Sequence, residues 1–174
     1  QILPRQIKPK LSQQKQSMLT LTRTSKCLVE FCCSPDSSLV KVGQKRGINV
    51  IRLSKEEYDV GTEAGLQKAM KTFEEAHNEG KQIHVFGSLP CTPWTTRQRM
   101  NLHKLGPEFA KKLLKQRANS KVLLRNFRRL CRFARVLNSE ASISFEWPRY
   151  CDGWKLKLVT RIEKEFEMTR THFE

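Results

Sequence analysis

The chain has 174 residues, with 33 Lys and Arg against 17 Asp and Glu, so its net charge is +16. This length allows one domain with a hydrophobic core, and the charge favours a polyanionic partner such as nucleic acid. No window approaches the roughly 18 uninterrupted apolar residues of a membrane span, and the N-terminus has no apolar signal-peptide core. We therefore expect an intracellular protein, nuclear or cytoplasmic, and exclude secreted and membrane-spanning classes.

The six cysteines lie mostly inside apolar runs and lack the paired spacing of a zinc site or a secreted disulfide scaffold. They indicate a reducing compartment and no metal site. Residues 1–25 are polar and basic, which predicts a mobile arm or an interdomain linker. Because the chain begins with Gln1 and stops in a helical pattern at Glu174, we expect residues 26–174 to be a partial domain, truncated at the C-terminus.

Beyond residue 25, short apolar runs alternate with segments of helical period. In chain order, the pattern predicts a strand at 27–32, a helix at 37–46, a strand at 49–53, a helix at 64–78, a strand at 82–87, a helix at 107–138, a strand at 143–145 and a helix at 154–167. Such alternation is typical of an α/β fold with an open, mainly parallel sheet and helices on both faces.

The predicted helix at 107–138 has an apolar stripe for packing and an opposite face that is strongly cationic. Hardly an acid accompanies these cations, so we expect few neutralising pairs. The cations are Lys111, Lys112, Lys115, Arg117, Lys121, Arg125, Arg128, Arg129, Arg132 and Arg135.

In an open parallel sheet, ligands bind at the carboxyl ends of the strands. After the first strand, the small and polar turn at 30–39 opens a helix and is suited to hold a polar ligand on its backbone N–H groups. The alternative is that Asp36 and Ser37 only cap the helix.

The third strand runs into Pro90-Cys91-Thr92-Pro93, where two prolines stiffen the backbone around a cysteine. A fixed thiol direction suits a nucleophile that must approach one face of a planar ring. A buried structural cysteine is the competing interpretation.

The fourth strand ends at Phe145-Glu146-Trp147-Pro148. If it neighbours the third strand, Glu146 lies at the same edge of the sheet as Cys91. In an apolar setting we expect a raised pKa for this carboxyl, so that it could donate a hydrogen bond to a ring nitrogen. A capping or salt-bridging role is the alternative.

The order of these motifs resembles the cytosine-5 DNA methyltransferases, over roughly residues 27–154. Pro90-Cys91 is similar to that family's Pro-Cys nucleophile motif, Glu146 and its neighbours to the Glu-Asn-Val motif, and residues 30–39 to the first S-adenosyl-L-methionine (SAM) motif. The run also resembles methyltransferase-like regions within retroelement polyproteins, which implies that the chain is part of a longer polyprotein.

The resemblance implies a Rossmann-like, SAM-dependent enzyme that methylates cytosine in DNA. In that reaction Cys91 adds to C6 of a flipped-out base and Glu146 contacts N3. The implied cofactor-binding residues are Glu30, Phe31, Cys33, Ser34, Asp36, Ser38, Asp59 and Pro90, with Arg52 near the ribose. The implied nucleic-acid contacts are Arg97, Arg99, His103 and Lys104, in the loop after Cys91, and Arg149.

Two alternatives remain open. The first turn has Cys33, Pro35 and Ser37 where the family has glycines, and Trp147 stands where it has Asn. Together with the charge, this favours a catalytically inactive nucleic-acid-binding module of a retrotransposon polyprotein. An amino-methyltransferase with Thr92-Pro93-Trp94 as its catalytic loop is disfavoured, because the expected acid is missing.

Overall fold

The computed structural model describes residues 25–34 and 36–172. The predicted basic arm therefore lies outside the described residues, except for Ser25. The elements in chain order are β1 (Lys26–Phe31), α1 (Ser38–Lys45), β2 (Asn49–Leu53), α2 (Glu63–Asn78), β3 (Gln82–Gly87), α3 (Arg97–Leu137), β4 (Ser142–Phe145) and α4 (Lys157–Glu165), with 3₁₀ turns at Thr92–Trp94 and Asp152–Lys155.

The four strands form one all-parallel sheet in the order β2-β1-β3-β4. The predicted α/β class and parallel sheet are confirmed. The chain leaves β1 for β2 on one side and then returns to β3 on the other side of β1. The carboxyl ends of β1 and β3 therefore flank the point at which the strand order reverses.

Helices cover both faces of the sheet. On one face, α1 approaches β2 so closely that a side chain at Gly43 would overlap Val50. On the other face, Phe127 of α3 packs edge-on against Phe31, with ring centroids 5.3 Å apart. Gly87 makes room for the same ring, because a Cβ at that position would lie 2.6 Å from it. Burial of each large apolar side chain here contributes about 2 kcal/mol.

The bounds predicted for β2 and β3 match the structure, and those of β1, α1, α2 and β4 differ by one residue. The helix start predicted at Pro107 is confirmed, but a further helical segment from Arg97, which was not predicted, precedes it within α3. Gly106 interrupts it with φ 69° and ψ −167°, and Pro107 begins the second segment. Within the part of the chain that the structure describes, no helix is both long and apolar enough to cross a membrane.

Acids from other elements neutralise the C-terminal part of α3. Glu165 of α4 pairs with Arg128 and Arg132, and Glu63 at the start of α2 accepts from both terminal nitrogens of Arg129. The expectation of few neutralising pairs is therefore wrong for this part of the helix. These acids come from distant parts of the sequence.

The ion pairs of Glu165 with Arg128 and Arg132 hold α4 against α3, and their contribution to stability depends on pH. Burial alone would raise the pKa of Glu165, but hydrogen bonds from Arg132 and Arg128 outweigh it and lower that pKa below 4.5. A lowered pKa in the folded state stabilises the fold above about pH 4.5, and this contribution is lost as the pH falls through the folded-state value. We expect Glu165→Gln to lower the free energy of unfolding at neutral pH by about 1 kcal/mol, with allowance for solvent screening.

Urea unfolding between neutral and acidic pH measures this effect. The difference between wild type and Glu165→Gln should shrink as the pH falls from about 4.5 through the lower folded-state pKa, since Glu165 is then protonated first in the unfolded chain and finally in the folded one. Glu74→Gln, on the exposed side of α2, is the matched control and should change stability little at any pH. A difference that stays constant down to acid pH would contradict the assignment.

Candidate functional site

The structure places Cys91 and Glu146 at the same edge of the sheet, in the segments that follow the neighbouring parallel strands β3 and β4. Gly87 of β3 and Phe145 of β4 are register partners, and Glu146 N donates to Gly87 O at 2.9 Å. The indole N–H of Trp147 donates to Leu89 O at 2.8 Å and is buried. The segments that carry the thiol and the carboxyl are thus held together by hydrogen bonds.

Side chains from α3 fix the turn that carries Cys91. Trp94 N donates to Cys91 O at 2.8 Å, which closes the 3₁₀ turn. The Trp94 indole N–H donates to the buried Ser120 hydroxyl at 2.8 Å. Arg117 donates to Pro93 O at 3.1 Å and lies over the Trp94 ring at 5.1 Å. The half-buried Cys91 is therefore presented on a rigid turn, as a directed nucleophile requires.

A second thiol lies under this turn. Cys151 is 5% exposed, and its sulfur donates to Trp94 O at 3.6 Å. Burial raises the pKa of Cys151, so this thiol stays protonated at neutral pH. Its place in the core, against the backbone of the turn, gives it a packing role.

The expected apolar setting of Glu146 is wrong. Its side chain is exposed, because β4 is an edge strand of the described sheet and Glu146 is the first residue beyond it. It borders a cavity of about 320 Å³ beside β4, together with Arg149, Trp154 and Arg170.

A larger cavity, of about 460 Å³, lies at the carboxyl ends of β1, β2 and β3, where the strand order reverses. This is where open parallel sheets bind ligands. Among the residues predicted to bind a cofactor, Cys33, Asp59 and Pro90 line it. The other lining residues are Cys32, Leu53, Lys55, Val60, Gly61, Thr62, Asn119, Val122 and Leu123.

The thiols of this cavity are protonated at neutral pH. Burial, followed by the charges of Cys33 and Asp59, raises the pKa of Cys32 to about 12. Burial, followed by the charge of Glu30, raises the pKa of Cys33 to about 11. Cys32 also has a left-handed backbone, with φ 61°, which a glycine would adopt without strain.

Glu30 at the end of β1 is 5% exposed. One oxygen, Oε1, accepts from the Ser37 hydroxyl at 2.7 Å, and Ser37 also caps α1 by accepting from Leu39 N. The other, Oε2, is buried and has no hydrogen-bond partner among the described residues. Glu30 does not line the larger cavity, so the structure does not bring this predicted cofactor contact to it.

The remaining cofactor candidates fall outside the larger cavity. Phe31 is fully buried and packs on Phe127, so its side chain belongs to the core. Ser34, Asp36 and Ser38 are exposed around the start of α1. The capping alternative therefore holds for Ser37, while Asp36 does not cap α1. Arg52 lies opposite Glu30 in the β1 and β2 register and does not line the larger cavity.

The predicted nucleic-acid contacts lie on a helix, not in a loop. Arg97, Arg99, His103 and Lys104 are exposed on the first segment of α3, which follows the Cys91 turn directly. Arg99 is committed to a bidentate ion pair with Asp152. The exposed Arg149 lies over the ring of Tyr150, at 5.4 Å.

Sequence reasoning missed the contribution of α3 to the site. Asn119, Val122 and Leu123 form a wall of the larger cavity, and the buried Asn126 donates to Val60 O at 2.8 Å. The available signal was the presence of Ser120 and Asn126 among the apolar positions that pack inward. Buried polar side chains in a helix usually hydrogen-bond a neighbouring segment.

Comparison of the chain with protein-family models, with curated proteins and with solved structures finds no match. The functional assignment therefore depends on the geometry of the site and on the motifs that it contains.

Proposed function

We propose that the chain is a methyltransferase-like domain that transfers methyl from SAM to cytosine in DNA, with Cys91 as nucleophile. The observation that carries the proposal is the juxtaposition of the Cys91 turn and Glu146 at the ends of adjacent parallel strands. The 460 Å³ cavity at the reversal point of the same sheet supports it, because Pro90 is common to that cavity and to the Cys91 turn.

The cavity fits a cofactor of this class. Its volume lies within the roughly 300–1,000 Å³ of small-molecule sites. Cys33, Asp59 and Thr62 supply polar contacts, and Val60 and Leu123 supply apolar walls. SAM, when bound, supplies an electrophilic methyl group.

In the proposed reaction, the chain itself supplies a nucleophile and a contact to the base. Cys91 adds through Sγ to C6 of cytosine and so makes C5 nucleophilic toward the methyl group; after methylation, loss of the C5 proton to water breaks the Sγ–C6 bond and frees Cys91. Glu146 accepts a hydrogen bond from the 4-amino group beside N3, and from N3–H once N3 is protonated in the adduct, which stabilises the adduct. The exposure of Glu146 allows a flipped-out base to reach it from solvent.

Two measurements test the proposal. Calorimetric titration should show SAM binding. In the presence of SAM, the protein should form a covalent adduct on DNA that carries 5-fluorocytosine, because fluorine at C5 prevents the elimination that releases Cys91. Absence of both SAM binding and adduct would overturn the proposal.

A second candidate is a nucleic-acid-binding module without catalysis, within a retrotransposon polyprotein. The exposed Glu146 and the left-handed non-glycine Cys32 in the first turn favour it. Salt-dependent DNA binding without SAM binding or adduct would support this candidate.

A further inference from the structure

The second segment of α3 exposes basic side chains along most of its length, from Lys111 to Arg135. No Asp or Glu occurs from residue 109 to residue 139. Leu113, Leu124 and Phe127 point inward and are buried, which turns the opposite side of the helix to solvent. On that side the exposed cations are Lys111, Lys112, Lys115, Lys121, Arg125, Arg129, Arg132 and Arg135.

Ion pairs divide these cations into two groups. Toward the C-terminus, Arg129 and Arg132 are paired with acids, and Arg135 donates to Ser139 O. Toward the N-terminus, Lys111 pairs with the highly exposed Glu108, and such surface pairs are weak. Within residues 25–34 and 36–172, no ion pair involves four exposed cations, which we call the α3 ridge: Lys112, Lys115, Lys121 and Arg125.

The α3 ridge belongs to the same stretch of helix that holds the candidate site. Arg117 contacts the Cys91 turn, and Asn119 and Val122 line the larger cavity. At 1.5 Å per residue, the ridge extends about 20 Å along the helix. That length matches about six base-pair steps of a duplex at 3.4 Å each. A polyanion bound along the ridge would therefore run beside the Cys91 turn.

We propose that the α3 ridge binds the phosphate backbone of a nucleic acid without reading its sequence. The four cations are spread over the solvent-facing half of the helix, where Glu108 near Lys112 is the acid within one helical turn of them, and each can replace a counterion of a phosphate. The inference takes its ligand class from the proposed function but does not depend on catalysis. In this proposal the ridge positions the nucleic acid through its phosphates, and the Cys91 turn contacts the reacting base.

The test compares two triple variants that lose equal charge. Lys112→Gln/Lys115→Gln/Lys121→Gln removes three ridge cations. Lys41→Gln/Lys45→Gln/Arg46→Gln removes three exposed cations at α1, on the other face of the sheet. Both variants retain residues 1–25. Fluorescence anisotropy with a duplex DNA of about 20 base pairs gives the dissociation constant between about 50 and 200 mM salt.

We expect the ridge variant to lower the slope of log affinity against log salt by about 2.7, which is about 0.9 for each phosphate contact. The α1 variant should lower it by less than about 1. A triple Lys→Arg variant of the ridge should restore the wild-type slope, because the charge is kept. Equal losses in the ridge and α1 variants would overturn the proposal, since net charge alone would then explain binding. Circular dichroism of each variant verifies that it is folded.

Binding measurements with other polyanions identify the ligand. Duplex RNA and single-stranded DNA of equal length distinguish the possible sources of the phosphates, and ridge-dependent binding of any of them supports the proposal. Ridge-dependent binding of a sulfated polysaccharide but of no nucleic acid would overturn it. If the protein forms the adduct but the ridge variant binds DNA as tightly as wild type, the ridge proposal fails and the proposed catalysis stands. Ridge-dependent binding without an adduct would overturn only the proposed catalysis.

Discussion

Cys91→Ser is expected to abolish the covalent adduct on 5-fluorocytosine DNA. A serine hydroxyl is far less acidic than a thiol and is a poor nucleophile toward a pyrimidine without a strong base beside it. The turn itself should persist in the variant, because Trp94 bonds to the backbone O of residue 91 and to Ser120, not to the thiol. Denaturing gel electrophoresis of protein incubated with labelled DNA and SAM measures the adduct.

Cys33→Ser is the matched control for this loss. Cys33 borders the candidate cofactor cavity, but its pKa of about 11 leaves roughly one thiol in ten thousand ionised at neutral pH. We expect this variant to keep the adduct at saturating SAM, because serine retains a polar group at this proposed SAM contact. Adduct formation by Cys91→Ser, or its loss in Cys33→Ser alone, would contradict the assignment of the nucleophile.

Affinity for DNA separates a chemical defect from a structural one. Cys91→Ser removes no charge, so its salt-dependent affinity for duplex DNA should stay within about twofold of wild type. A large loss of affinity would show that the substitution disturbs the turn or its surroundings, and the missing adduct would then say nothing about nucleophilic attack.

The strands at the centre of the fold could be predicted from the sequence because their signals are local. Gln82–Gly87 is an apolar run that follows Gly80, and Asn49–Leu53 follows Gly47. Both glycines have left-handed backbones, with φ of 72° and 67°, where the turns require them. Because β3 and β4 are neighbouring parallel strands, their carboxyl ends lie at the same edge of the sheet.

The first segment of α3 could not be predicted, because it lacks the apolar period that indicates a packed helix. Met100, Leu102 and Leu105 are all exposed. The segment is instead held by polar contacts, such as the one from Gln98 to Thr92 O. Pro107 does begin the second segment, as predicted, and the non-helical Gly106 separates it from the first.

The electrostatic environment of the site could not be predicted from the sequence either, because it depends on residues that meet only in the folded structure. Arg129 meets Glu63 across 66 positions of the sequence, and nothing in the local pattern around Arg129 indicates that pair. The exposure of Glu146 follows from the place of β4 at the edge of the described sheet. Strand order is set by packing of the helices, and alternation of apolar runs does not specify it.

Gly65→Ala is expected to destabilise the fold strongly, although alanine is the better helix former. In an exposed helix interior this change stabilises by about 1 kcal/mol. Gly65 is buried in the first turn of α2, however, where an added Cβ would overlap the backbone carbonyls of Tyr58 and Asp59. Backbone atoms cannot rotate away as a side chain can, so the loop at 58–62 must move.

We expect a loss of about 3 kcal/mol in the free energy of unfolding, at the upper end of the cost of overpacking. The matched control is Gly61→Ala in the same loop, where the nearest atom to an added Cβ lies at 3.4 Å and the stability should change by less than about 0.5 kcal/mol. Urea unfolding of both variants measures the difference. Because Asp59 to Thr62 line the larger cavity, displacement of the loop in Gly65→Ala should also weaken SAM binding, and unchanged SAM binding with full stability would contradict this packing of the loop on α2.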